Sequence, residues 1–131
     1  ATFYQDRIVF TSARDTTRFA DKLYNWNNQP FLNLYVAERN PADGSLFNDA
    51  LFIPNIMTKY HEATASFDAS GKTIYYSSNI VKKNKLVTDG NSVNNFQILI
   101  LTYINRHTQV IHQIISTINN YCILALCLFF A

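Results

Sequence analysis

Two β-forming runs separated by a long polar stretch occur twice in this chain, and that repetition narrows the architectures open to it. The first copy places Arg7-Ile8-Val9-Phe10-Thr11-Ser12 before Phe31-Leu32-Asn33-Leu34-Tyr35-Val36-Ala37. The second places Thr73-Ile74-Tyr75-Tyr76-Ser77-Ser78 before Phe96-Gln97-Ile98-Leu99-Ile100-Leu101. Ile8 and Ile74 are 66 residues apart, and Leu32 and Phe96 are 64 apart. Asn27-Asn28 and Asn94-Asn95 precede the second run of each copy. A fixed period of short β runs marks propellers and solenoids, in which each repeat is one supersecondary unit stacked on its neighbours. Such blades more often scaffold and bind than catalyse, which lowers the expectation of an enzyme.

Size and composition agree with that architecture. At 131 residues the chain can bury a core, and its 48% hydrophobic and 15% aromatic content suits aromatic-rich β structure rather than a disordered segment. A net charge of +2 without a dense Lys/Arg stripe does not point to nucleic acid. Cys122 and Cys127 stand five apart in an apolar run and match no zinc spacing, so they read as buried or incidental thiols.

Along the chain, Arg7 to Ser12 is a strand, and Asp15 to Pro30 reads as a long ordered loop with room for one helical turn. Phe31 to Glu38 and Leu46 to Phe52 form partner strands around the turn Asn40-Pro41-Ala42-Asp43-Gly44. Alternation along Glu62-Ala63-Thr64-Ala65-Ser66-Phe67 predicts a half-buried strand. The turn Asp68-Ala69-Ser70-Gly71-Lys72 returns it antiparallel into Thr73 to Ser77. Ile80 to Asn95 repeats the polar insertion, and Phe96 to Ile104 is a buried strand. Val110 to Ile115 suits an outer strand, while the Ile111, Ile114, Ile115 and Ile118 spacing also suits a helix. The two insertions occupy the same place in each copy and should emerge on one face, which in repeat folds is often the binding face.

The stretch Tyr60-His61-Glu62-Ala63-Thr64-Ala65-Ser66-Phe67, followed by Ser70-Gly71-Lys72-Thr73-Ile74-Tyr75-Tyr76-Ser77-Ser78-Asn79, resembles the WD40-like (TolB-type) β-propeller repeat. Ser70 stands where that repeat usually has Asp, and Tyr76 where it usually has Phe. Ser12-Ala13-Arg14-Asp15-Thr16, Trp26-Asn27-Asn28-Gln29-Pro30-Phe31-Leu32 and Asn55-Ile56-Met57-Thr58-Lys59-Tyr60-His61-Glu62 resemble the propeller region of Bacteroidetes OmpA-family proteins. That resemblance implies an envelope protein of the periplasm and outer membrane, whose partners are other envelope proteins or further blades of the same parent chain. Peptidoglycan binding in such proteins belongs to an OmpA domain that this sequence does not contain. The resemblance runs from about Ile8 to Asn95 and fades by Tyr121. The expectation is therefore a fragment, without a leader segment, whose end is altered or frame-shifted.

Few residues offer chemistry. The apolar run from Tyr121 to Ala131 is about half the roughly 20 residues that span a bilayer, so a buried strand or sticky tail is expected before a membrane anchor. His61, His107 and His112 share no ligand spacing, and His61 with Glu62 is expected to hydrogen-bond backbone at a blade end. No Gly-x-Ser-x-Gly elbow or phosphate-cradling loop occurs, so no catalytic residue, cofactor or metal is assigned. The insertions remain. Arg14, Arg18, Lys22 and Trp26 in the first, with Lys82, Lys83 and Lys85 in the second, form the candidate binding surface, basic with an aromatic anchor and suited to a partner protein or an acidic glycan. The competing reading is that these cations solvate ordinary loops while Trp26 and Phe19 pin one to its blade.

The expected fold is thus all-β: about two antiparallel blades of a β-propeller with long inter-strand insertions and an irregular or helical apolar C-terminal tail. A partial propeller covers 1–121, with blades at about 7–53 and 60–115, and the apolar tail covers 122–131. The expected function is a non-catalytic scaffold or protein-interaction segment of an OmpA-like envelope protein. The alternatives are an accessory propeller of a serine-type hydrolase and a small membrane-tethered protein.

Overall fold

The computed structural model describes residues 1–14, 23–104 and 108–118. Among these the chain is all β, with no helix, in small antiparallel sheets. It divides into two compact units, Ala1–Thr64 and Ala65–Ala131.

In the first unit, β1 (Thr2–Tyr4), β2 (Arg7–Ser12), β5 (Asn33–Arg39) and β6 (Leu46–Leu51) form one antiparallel sheet in the order β1-β2-β5-β6. Between β2 and β5 the insertion carries a small hairpin of β3 (Leu23–Tyr24) and β4 (Gln29–Pro30). The described part of this insertion is therefore β rather than helical, and residues 15–22 lie outside the description. Strand β1 lies ahead of the repeat read from sequence, because three residues are too few to show a period. Its turn places Gln5 at φ 58, with Tyr4 opposite Arg7. Asn33 to Ala37 are all buried, as expected of a strand covered on both faces rather than one. After β6 the chain returns along this strand: the Phe52 N–H donates to the Leu34 carbonyl at 2.9 Å, and Ile53 and Tyr60 join the core. Strand β6 departs from simple alternation. A register shift between Val36 and Glu38, with Asn48 at φ 52, bulges it and leaves both Leu46 and Phe47 exposed.

The second sheet has the order β12-β11-β8-β7, built from β7 (Glu62–Phe67), β8 (Thr73–Asn79), β11 (Phe96–Ile104) and β12 (Thr108–Ile118). Again the insertion between the two central strands carries a small hairpin, β9 (Val81–Lys82) with β10 (Lys85–Leu86). Strand β12 resolves the ambiguity of the isoleucine spacing in favour of β. Pairing with β11 from Ile104↔Thr108 to Phe96↔Ile118 overrides a helical period that only local sequence supports. Ile74, Tyr76 and Leu101 are buried in this unit.

The ladders reproduce the sequence repeat rung by rung. Arg7↔Glu38, Ile8↔Ala37 and Ser12↔Asn33 in β2–β5 become Thr73↔Thr102, Ile74↔Leu101 and Ser78↔Gln97 in β8–β11. The shift is 66 on one strand and 64 on the other, the offsets present in the sequence. Buried amides occupy equivalent places: Asn33 donates to the Phe31 carbonyl, and Gln97 to the Asn79 carbonyl.

The β7–β8 turn is held by Asp68. Its carboxylate accepts from the Ser70 hydroxyl at 2.6 Å and the Thr73 N–H at 2.9 Å, and these donors hold it below the usual carboxylate pKa. Ser70 thus serves the turn. Gly71 sits at φ 66, where a β-branched side chain is strained. Gly71→Val should cost about 1–3 kcal/mol and increase protease cleavage at the turn. An unchanged urea midpoint and digestion pattern would contradict this backbone assignment.

Candidate functional site

The first insertion stands on an aromatic footing. Its hairpin turns through Asn25 to Asn28, with the Asn28 N–H donating to the Tyr24 carbonyl at 2.9 Å and Asn28 at φ 53. The Asn27 side-chain oxygen accepts from the Gln29 N–H at 3.1 Å. Tyr24 meets His61 edge-on at 4.7 Å and Phe31 at 5.5 Å; Phe31 meets Tyr60 edge-on at 5.5 Å. These rings fix the hairpin to the segment entering β7. Trp26 takes no share in that core: it is 85% exposed and touches Tyr24 only edge-on, at 6.3 Å between centroids. The reading in which Trp26 pins its loop is therefore corrected, since Tyr24 and Phe31 do so.

Arg14 is committed within its own sheet. Its guanidinium pairs with Asp49 and lies over the Phe10 and Tyr35 rings at 5.4 and 5.0 Å. The Tyr35 hydroxyl donates to the Arg14 carbonyl at 3.1 Å. Arg18 and Lys22 lie outside the described residues.

In the second insertion the lysines crowd one tip. Lys83 and Asn84 adopt φ 49 and 60, a two-residue turn of the primed type that matches strand twist. Lys82 faces Lys85 across it, so two ammonium groups repel at adjacent positions with a third on the turn. No ion pair to these lysines occurs among the described residues. The foot is an amide cluster: Asn79 donates to the Asn94 side chain at 2.7 Å, and Asn94 donates to the carbonyls of Ile80 and Val87 at 2.9 and 2.6 Å. Asn94 is thus a base pin, whereas Asn27 and Asn28 shape a turn, so the two Asn pairs are not equivalent in structure.

Sequence reasoning missed the chemistry of Glu62. Its side chain is 1% exposed, and its Oε1 accepts from the Thr58 N–H at 3.0 Å and the Thr58 hydroxyl at 2.5 Å. The Thr58 hydroxyl in turn accepts from the Tyr60 N–H at 3.1 Å. Glu62 Oε2 is buried without a hydrogen-bond partner. Burial pushes the carboxyl up to about 7, and the Thr58 bonds only partly oppose this. His61 behaves as expected of a backbone-bonding residue: its Nδ1 accepts from the Leu32 N–H at 3.0 Å. Burial among the rings lowers its pKa, so it stays neutral with the proton on Nε2. Two residues beyond Glu62, Thr64 holds φ 46, a strained conformation for a β-branched residue. Among the described residues no three His, Cys, Asp or Glu side chains converge as a metal site, and no helix is long and apolar enough to cross a membrane. His107 and the tail 122–131 lie outside the description.

No protein-family model, curated protein or solved structure matches the chain.

Proposed function

We propose that the chain is a pair of consecutive propeller-type blades acting as a non-catalytic scaffold that engages protein partners in the cell envelope. The observation that carries this reading is the shared register. Two four-stranded meanders, whose central ladders are related rung by rung, each project a hairpin from between their two central strands. That is how a repeat scaffold presents variable loops on an invariant frame. The envelope setting rests on the resemblance to OmpA-family propeller regions. Within the reading, the tip bearing Lys82, Lys83 and Lys85 meets an acidic partner surface, where unpaired cations steer encounter and set orientation.

The variant K82E/K83E/K85E should leave the circular dichroism spectrum unchanged, because all three residues are exposed. It should lower recovery of cross-linked envelope partners in a Bacteroidetes host about tenfold or more, consistent with loss of several charge contacts. Equal recovery with the variant would remove the lysine tip from the interaction. Purified chain that hydrolyses ester or peptide substrates would overturn the non-catalytic reading.

A further inference from the structure

The first hairpin carries a different surface from the second. From Leu23 to Phe31 the sequence Leu-Tyr-Asn-Trp-Asn-Asn-Gln-Pro-Phe contains no charged residue. An indole 85% exposed forgoes one of the largest burial gains open to any side chain, while the Tyr24 ring it touches meets the buried Phe31. Tyr24 meanwhile is held by Phe31 and His61, so the Trp26 ring stands on a fixed pedestal. The residues beside it are Asn25, Asn27, Asn28 and Gln29, all exposed amides. Each amide presents a donor pair and an acceptor together.

We propose that this hairpin tip is a carbohydrate-binding site, with the Trp26 indole as the stacking platform for a neutral β-linked oligosaccharide. A β-linked pyranose offers a flat face of polarised C–H groups, which complements the negative face of an aromatic ring. Its equatorial hydroxyls lie around the rim, each both donor and acceptor, and amides at the edge of the platform satisfy both roles. The absence of charge along the hairpin favours a neutral sugar over an acidic one. Among the described residues Trp26 and Leu23 are the large exposed apolar side chains of this hairpin, a narrow platform suited to a single ring face. The inference does not depend on the lysine tip or on the envelope setting.

Trp26 is the chain's only tryptophan, so intrinsic fluorescence reads this site directly. Titrating the whole chain with chitotetraose and, separately, cellotetraose should shift the emission to the blue and saturate, with Kd on the order of 1 mM for at least one sugar. Asn25→Ala, which keeps the indole, should raise that Kd severalfold. Trp26→Ala should keep its circular dichroism and thermal melt yet lose saturation transfer to the sugar in ligand-observed NMR. No emission shift with either sugar at about tenfold above that Kd would overturn the proposal, as would saturation transfer surviving in a folded Trp26→Ala. A blue shift that follows protein concentration without sugar would assign the indole to a protein interface and overturn it as well.

Discussion

Glu62→Gln should make the first unit more stable at pH 8, by about 1–3 kcal/mol, and remove its gain in stability on mild acidification. The buried carboxyl titrates near 7 in the folded chain against an ordinary 4.5, so the folded state holds the proton over that interval while the unfolded state releases it. Stability from this group is therefore full below about 4.5 and is lost as pH rises through 7. At 1.36 kcal/mol per pH unit the interval corresponds to about 3 kcal/mol. The His61 contribution runs the other way. Its folded pKa is depressed, so its stabilisation is full above 6.5 and lost as pH falls. In the Glu62→Gln variant the amide oxygen keeps the Thr58 bonds, no charge is buried, and only the His61 slope remains. Urea unfolding followed between pH 5 and 8 separates the two groups. A wild-type chain no less stable at pH 8 than at pH 5.5, or a Glu62→Gln variant weaker than wild type at pH 8, would contradict the buried carboxylate bonded through one oxygen only.

Leu101→Ala should cost about 2–5 kcal/mol. Leu101 is fully buried in a central strand, between Ile74 on β8 and Ile111 on β12. Truncation removes both its transfer free energy and its packing contacts. A unit of this size is stable by only on the order of 3–10 kcal/mol, so much of the second sheet's protection should go with it. Hydrogen exchange should accelerate across Thr73–Asn79 and Phe96–Leu101. Leu86→Ala, at an exposed position of the same unit, should stay within about 0.5 kcal/mol. Comparable small losses at both positions would mean that Leu101 does not occupy the interior.

The frame was legible because its signal is carried by many residues at once. Aromatic and β-branched runs at Arg7–Ser12, Thr73–Ser77 and Phe96–Ile104 declare strands locally, and a constant offset between copies declares their equivalence. What escaped depends on partners distant in sequence or on conformations that single residues rarely announce. The three residues of β1 become a strand only beside Val9 and Ile8. Thr108–Ile118 carries an isoleucine spacing compatible with either structure until β11 supplies a ladder. Lys83-Asn84 makes a primed turn without glycine, so the second insertion read only as a polar stretch with no hairpin in it. Of the candidate site, the lysine tip and Trp26 were visible as residue types, but their use was not. Arg14 is tied to Asp49 and two rings, and Trp26 stands clear of the core. Glu62 was expected to bond backbone, and it accepts from the Thr58 N–H, but its burial was not legible. Its burial is decided by the packing of Thr58 and Tyr60, which no local pattern records.

The central claim is that the two sheets are copies of one unit in one register, and cross-strand Hα–Hα nuclear Overhauser effects test it most directly. In antiparallel pairs the non-hydrogen-bonded rungs bring Cα atoms to about 4.5 Å, so alternate rungs give strong signals. The account predicts signals at alternate rungs of β2–β5, and at the rungs 66 and 64 positions further on in β8–β11. A second ladder displaced by one residue, or paired with a segment other than Phe96–Ile104, would contradict the repeat and with it the scaffold reading.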